Sequence, residues 1–311
     1  MPMPADPDLR QKPLPWTRPK PPEEDPDAPR RLKAILASPS YRPAADDAHF
    51  LAEDVSRGVR LQLDYMKPEE LLAAKNIRHT IVVFGSTRIK QPDAARRAVD
   101  ELRAASAAAP RNRGIARQLA IAERVLAKSR YYDEAREFGR LVGTTDRRIG
   151  GHPVVITTGG GPGIMEAANR GAFDAGAPSI GLNISLPHEQ FPNPYVTPGL
   201  CFRFHYFALR KLHFLLRAKA LVAFPGGFGT FDELFEILTL IQTRKVKPMP
   251  VVLVGEQFWR GAVDFDYLVA EGVIDPEDRE LFWFADTAED AWQGILTWHE
   301  LNGEPLLPPT A

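Results

Sequence analysis

A single cysteine, Cys201, stands among 311 residues, so the chain can form no internal disulfide and no cysteine-based zinc site. That usage matches a reducing compartment, and the cytoplasm is the expected location. No apolar run approaches the roughly 18–20 residues needed to cross a bilayer. The first residues also lack the apolar core of a secretory signal. Charge of one sign is missing too: 39 Lys and Arg face 40 Asp and Glu, for a formal net charge of −1. Bulk nucleic-acid binding favours a strongly basic face, so neither nucleic acid nor a membrane is an expected partner. No internal repeat of 20–50 residues is visible. No Gly-Lys-Ser/Thr triplet occurs, which excludes a nucleoside-triphosphate P-loop.

Proline, by contrast, is concentrated. Residues 1–43 hold twelve of the 29 prolines and no periodic apolar pattern. Such a segment buries too little surface to offset its ordering entropy, and it is expected to be an extended or disordered arm. Residues 44–311 are expected to form one domain with an N-terminal helical extension. Over 46–76 the apolar residues Phe50, Leu51, Val55, Val59, Leu61, Leu63 and Leu71 predict helix.

Short apolar runs then predict six strands: Thr80–Gly85, Val154–Thr158, Ser179–Ser185, Ala220–Phe224, Pro250–Val254 and Leu281–Ala285. Helical patterns separate them at 115–141, 164–175, 204–218, 231–242, 258–271 and 289–301. The alanine- and arginine-rich span 92–148 adds helix beyond the simplest βαβ plan. This alternation predicts an α/β fold, a doubly wound, mostly parallel Rossmann-like sheet with helices on both faces.

Ligands in such sheets bind beyond the carboxyl ends of the strands, and three strands here end in unusual loops. The first is Gly85-Ser86-Thr87-Arg88, whose hydroxyls and arginine suit an anion, although a polar helix-capping turn has the same composition. The second holds Gly159, Gly160, Gly161 and Gly163, four glycines in five positions, which expose backbone to a ligand or simply make a tight turn. It does not satisfy G-x-G-x-x-G, and Asn183-Ile184-Ser185 stands where an acidic residue would end the next strand. A nicotinamide dinucleotide is therefore disfavoured. The third is Pro225-Gly226-Gly227-Phe228-Gly229-Thr230, a strand-to-helix turn with the makings of a phosphate cradle, with Glu233 close by.

Glu233 has two readings. Thr230 followed three residues later by Glu233 is a capping box, a structural role worth about 1 kcal/mol. Alternatively the carboxylate, with Glu236 one turn further on, serves catalysis at the cradle. Upstream, Arg210 and Lys211 diverge by about 100° on a helix and cannot share one target. Arg210, His213 and Arg217 lie nearer one stripe. The surrounding aromatic residues predict partial burial, so an arginine there needs a partner, either Glu233 or a phosphate.

Gly159–Glu166 (Gly-Gly-Gly-Pro-Gly-Ile-Met-Glu), Arg210-Lys211 and Pro-Gly-Gly-Phe-Gly-Thr-x-x-Glu at 225–233 together resemble the LOG (lonely guy) phosphoribohydrolases, often mislabelled lysine decarboxylases. The resemblance covers roughly residues 78–255 and, with Leu186-Pro187-His188-Glu189-Gln190, looks like the longer bacterial branch. It implies hydrolysis of the N-glycosidic bond of nucleoside 5′-monophosphates, AMP or cytokinin riboside monophosphates. It implies Arg210 and Glu233 as the catalytic pair and Gly226, Gly227, Phe228, Gly229 and Thr230 at the phosphate. Lys211, Thr239 and Glu189 are implied near the substrate, and a homodimer or larger homo-oligomer is expected. Gly85, Ser86 and Arg88, with the Gly159–Gly163 loop, complete the candidate substrate contacts. No metal and no cofactor are expected, pyridoxal phosphate included. A non-catalytic nucleotide or cofactor carrier, or a nucleotide sensor, is the alternative use of the same pocket.

Overall fold

The computed structural model describes residues 17–145, 152–187 and 191–306. Two compact units divide the chain, Met1–Arg60 and Leu61–Ala311.

In the first unit no described residue before Ser56 is buried. It is not extended throughout. Helix α1 (Ala28–Leu36) begins with Pro29 in its first turn, where the fixed φ suits a helix and the missing N–H costs nothing. Helix α2 (Ala48–Ala52) follows, capped by Asp47, whose Oδ1 accepts from the N–H groups of His49 and Phe50.

Helix α3 (Arg57–Ala74) precedes strand β1 (His79–Phe84). Among the described residues, three helices stand between β1 and β2 (Val154–Thr158): α4 (Pro92–Ala108), α5 (Arg113–Lys128) and α6 (Arg130–Thr144). The single helix expected over 115–141 is therefore two, broken at Ser129. Next come α7 (Ile164–Asp174), β3 (Ser179–Ile184), β4 (Cys201–Phe204), α8 (Phe207–Leu215) and β5 (Ala218–Ala223). The chain continues through α9 (Phe228–Gln242), β6 (Val251–Val254), α10 (Glu256–Ala262), α11 (Phe265–Ala270), β7 (Trp283–Ala285) and α12 (Ala288–Leu301). Strand β4 is an addition to the six expected. Its residues alternate exposed and buried, the pattern of a sheet edge, and part of it was expected to be helix.

The seven strands of the described residues pair in parallel, in the order β4-β3-β2-β1-β5-β6-β7. Alternate strand residues enter two separate cores, because successive side chains point to opposite faces. Ile81, Val83, Ile156, Val222 and Val252 join Phe138 and Trp292 on one face. Val82, Phe84, Val155, Leu221 and Leu253 join Phe214, Leu234 and Trp259 on the other. The doubly wound, Rossmann-like class is thus present, and its central strands are buried on both faces.

Helices α6 and α7 approach until their backbones touch. A Cβ on Gly171 would lie 1.8 Å from the Arg136 carbonyl oxygen, and one on Gly139 would lie 2.1 Å from that of Ala168. Backbone cannot swing aside as a side chain can. Alanine gains about 1 kcal/mol of helix propensity over glycine, but overpacking costs about 1–3 kcal/mol and here strikes main chain. Gly171→Ala is expected to lower the urea midpoint, with Gly176→Ala, which meets nothing within 4 Å but has φ +68°, as a control for backbone strain alone.

Candidate active site

Strands β2, β1 and β5 are neighbours in the sheet, so the three glycine-bearing loops at their carboxyl ends lie side by side. Main-chain bonds stitch them together. Ser86 N–H donates to Pro225 O at 3.0 Å, and Ile164 N–H donates to Ser86 O at 3.1 Å. Gly163, with φ +76°, permits that contact, since a Cβ there would lie 2.3 Å from Ser86 O.

A buried amide network fixes the second loop from below. Thr158 Oγ1 donates to Asn169 Oδ1 at 2.7 Å and accepts from Gly160 N–H at 2.9 Å. Asn193 Nδ2 donates to the same Asn169 oxygen at 2.9 Å and to Gly161 O at 3.0 Å. Buried polar groups joined in this way specify one backbone conformation. Gly160, Gly161 and Gly163 therefore serve the loop's shape, whereas Gly159 lines the cleft above it.

The third loop opens α9. The helix begins at Phe228 with Gly227 as its N-cap, and no side chain caps it. Glu233 is thus in the second turn, and the capping-box reading is corrected. The Glu233 side chain accepts instead from Arg210 Nη2 on α8, at 3.2 Å. Glu233 is 4% exposed, and the Arg210 side chain is also largely buried. Phe207 and Phe214 lie under the guanidinium, its carbon 4.8 and 5.7 Å from their ring centroids. Arg210 Nε is buried and has no hydrogen-bond partner among the described residues.

Burial dominates the electrostatics. Removal from water pushes the Glu233 carboxyl up to about 7, against the opposing pull of Arg210 and Lys211. Arg210 therefore limits the rise and does not hold the carboxyl below its ordinary range. The same burial lowers the Arg210 pKa, again against the attraction of its partner.

The neighbouring cation has another task. Lys211 Nζ lies 2.8 Å from Asp232 Oδ2 and 2.9 Å from Glu236 Oε2, so it ties α8 to α9. Lys211 and Thr239 do not line the cleft; Thr239 Oγ1 donates to the Phe235 carbonyl at 2.7 Å. Arg217 pairs with Glu69 of α3 through two hydrogen bonds of 2.5 and 2.9 Å, and Glu69 Oε1 lies 3.2 Å from His213 Nδ1. Asp64 of α3 accepts from His205 N–H and Tyr206 N–H, at 2.8 and 2.9 Å, just before α8. The helix that carries Arg210 is thus pinned from behind. Glu166 accepts from Tyr132 OH at 2.8 Å, a contact between α7 and α6. Glu189 lies outside the described residues.

Above the loops is a cleft of about 1100 Å³. Gly85, Ser86, Arg88, Gly226, Gly227, Phe228, Gly229 and Thr230 line it, together with Arg210 and Glu233. Phe228 is 96% exposed. The sequence reading missed the wall supplied by α5, where Ile121, Arg124, Val125 and Lys128 face the cleft. Their spacing is that of one helix face, but nothing in that span has the look of a ligand loop. Among the described residues no cluster of three His, Cys, Asp or Glu could hold a metal ion, and no helix is long and apolar enough to cross a membrane.

A parallel α/β sheet with a glycine-rich helix start beside a buried carboxyl–guanidinium pair defines the site. The family model described as "Possible lysine decarboxylase" matches residues 165–295. The cytokinin riboside 5′-monophosphate phosphoribohydrolase LOG3 of Arabidopsis thaliana is 29% identical over 167 residues, 52% of this chain and 73% of that protein. A probable cytokinin riboside 5′-monophosphate phosphoribohydrolase, LOG4 of Oryza sativa subsp. japonica, is 32% identical over 137 residues, 43% of this chain and 58% of that protein. Among solved structures, the Moco carrier protein from Chlamydomonas reinhardtii is similar at 20% identity over 71% of this chain and 99% of that one, with a TM-score of 0.37. The chain is thus similar to LOG phosphoribohydrolases over about half of its length.

A carboxyl raised above its ordinary value of 4.5 favours the folded state while protonated. Its contribution is fully present below about pH 4.5 and is lost as pH rises through about 7. Urea unfolding at a series of pH values is expected to show that loss across this window, and Glu233→Gln is expected to flatten it.

Proposed function

We propose that the protein hydrolyses the N-glycosidic bond of nucleoside 5′-monophosphates, AMP or cytokinin riboside monophosphates, to free base and ribose 5-phosphate. The observation that carries this reading is the buried Glu233–Arg210 pair beside the Gly226–Thr230 cradle. The names of the similar proteins, cytokinin riboside 5′-monophosphate phosphoribohydrolases, support the substrate class.

In this reading the 5′-phosphate accepts from backbone N–H groups at the start of α9, where the helix dipole also favours an anion. That grip is remote from the reacting bond and positions the ribose beside Glu233. As the bond from C1′ to the base nitrogen breaks, positive charge develops on the ring, and the ionised Glu233 carboxylate stabilises it. Water adds to C1′; its hydroxyl stays on the sugar, and its other proton goes by way of Glu233 to the departing base. A carboxyl that titrates near 7 can take and return a proton at neutral pH. Arg210 orients the carboxylate, and its buried, unpartnered Nε–H is a donor held in reserve at the site. A passive carrier has no use for a desolvated carboxyl at this place, and that favours turnover over carriage.

Glu233→Gln is expected to cut turnover by roughly 10²–10⁴-fold while AMP still binds, as read by base release and calorimetry. Full turnover in that variant would remove Glu233 from the chemistry. Arg210→Ala is expected to lower turnover by orders of magnitude.

The pH profile carries an independent sign. Turnover per binding event should rise as pH increases through about 7, because the ionised carboxylate is the working form. With Arg210→Gln, loss of the nearby cation should move that limb to higher pH. A limb that stays in place would show that the titration belongs to another group.

A further inference from the structure

A βαβ crossover needs one helix, and α6 supplies it between β1 and β2; α4 and α5 are additional. No residue of α5 is buried, yet one of its faces borders the cleft. Ile121, Arg124, Val125 and Lys128 follow the i, i+3, i+4, i+7 spacing of a single helical stripe. Arg88, on the loop after β1, borders the same space. None of these three cations forms an ion pair with a described residue, although Arg103 in the same hairpin pairs with Glu123 at 3.0 Å.

The charge balance of the cleft is lopsided. Its lining contains Arg88, Arg124, Lys128 and Arg210 against one carboxylate, Glu233, which Arg210 already engages. The glycine cradle has its own donors for a phosphate. A phosphate monoester brings roughly −1.5 to −2 of charge near neutral pH, which leaves Arg88, Arg124 and Lys128 without a counter-charge in the cleft, although Lys128 Nζ donates to the Arg124 carbonyl at 3.4 Å. The volume of about 1100 Å³ also stands at or above the roughly 300–1000 Å³ of most small-molecule sites.

We propose that Arg124 and Lys128 of α5, with Arg88, form a second anion subsite, and that the cleft is built for nucleotides carrying a phosphoryl group beyond the one on the glycine cradle. Ile121 and Val125 supply the apolar surface between the two cations. The inference rests on the reading of the cradle as a nucleotide phosphate site. A 5′-diphosphate and a 3′,5′-bisphosphate share the required chemistry and differ in where the second phosphoryl group sits.

The test is calorimetric titration of the Glu233→Gln protein with AMP, ADP and adenosine 3′,5′-bisphosphate. At least one of the two-phosphoryl ligands should bind about tenfold tighter than AMP, as charge-assisted contacts of this kind allow. Joint Arg124→Ala and Lys128→Ala substitution should erase that advantage and leave AMP affinity within about twofold, whereas Arg124→Lys with Lys128→Arg should keep it. Equal or tighter binding of AMP would overturn the proposal without recourse to the alanine variant. So would an alanine variant that loses AMP and the other ligands to the same extent. Base release from AMP by the unaltered protein is scored separately. Its absence counts against the hydrolase reading, while the ligand ranking alone decides the subsite.

Discussion

The burial of one carboxyl group constrains the centre of this structure. Glu233 sits almost fully out of water, and its cationic hydrogen-bond partner, Arg210, is itself buried against Phe207 and Phe214. Desolvation of both groups opposes their mutual attraction, and for the carboxyl it prevails. Such an arrangement persists only where surrounding elements hold it. Helix α8 is held by Asp64 and Glu69 of α3, and it is joined to α9 through Lys211. The effort of the scaffold goes into keeping an unfavourable group in one place, as is common at functional sites.

The parallel sheet supplies the geometry. With β2, β1 and β5 adjacent at its centre, three loops that are far apart in the sequence share one edge, and main-chain hydrogen bonds lock them together. Only one of the three presents the start of a long helix beside the buried pair. The Thr158–Asn169–Asn193 network does not reach the cleft; it sets the shape of the neighbouring glycine loop. Glycines that look alike in the sequence therefore divide into those that line the cleft and those that let backbones approach.

The legible parts of the fold were those with a strong local signal. The apolar runs of β1, β2, β3, β5 and β6 lie between glycine loops and amphipathic segments, and the structure places strands there. Strand β4 was missed because four residues paired at a sheet edge show only weak alternation and run straight into the aromatic start of α8. Helices α5 and α6 read as one because Lys128-Ser129-Arg130 contains no glycine or proline to mark the break. Within the site, the divergence of Arg210 and Lys211 followed from helix geometry, but which carboxylate each would meet did not. The rise in the Glu233 pKa was hidden for the same reason: burial is a tertiary property, and a sequence shows only the nearby charges. Arg124 and Lys128 resemble any solvated helix face until the fold brings α5 to the cleft.

The central claim is that the buried carboxylate acts on the ribosyl bond of a nucleotide held by its phosphate. Chromatographic analysis of AMP incubated with the purified protein tests it most directly. The account predicts free adenine and ribose 5-phosphate in equal amounts. Adenosine with inorganic phosphate, or AMP that remains intact, would contradict it.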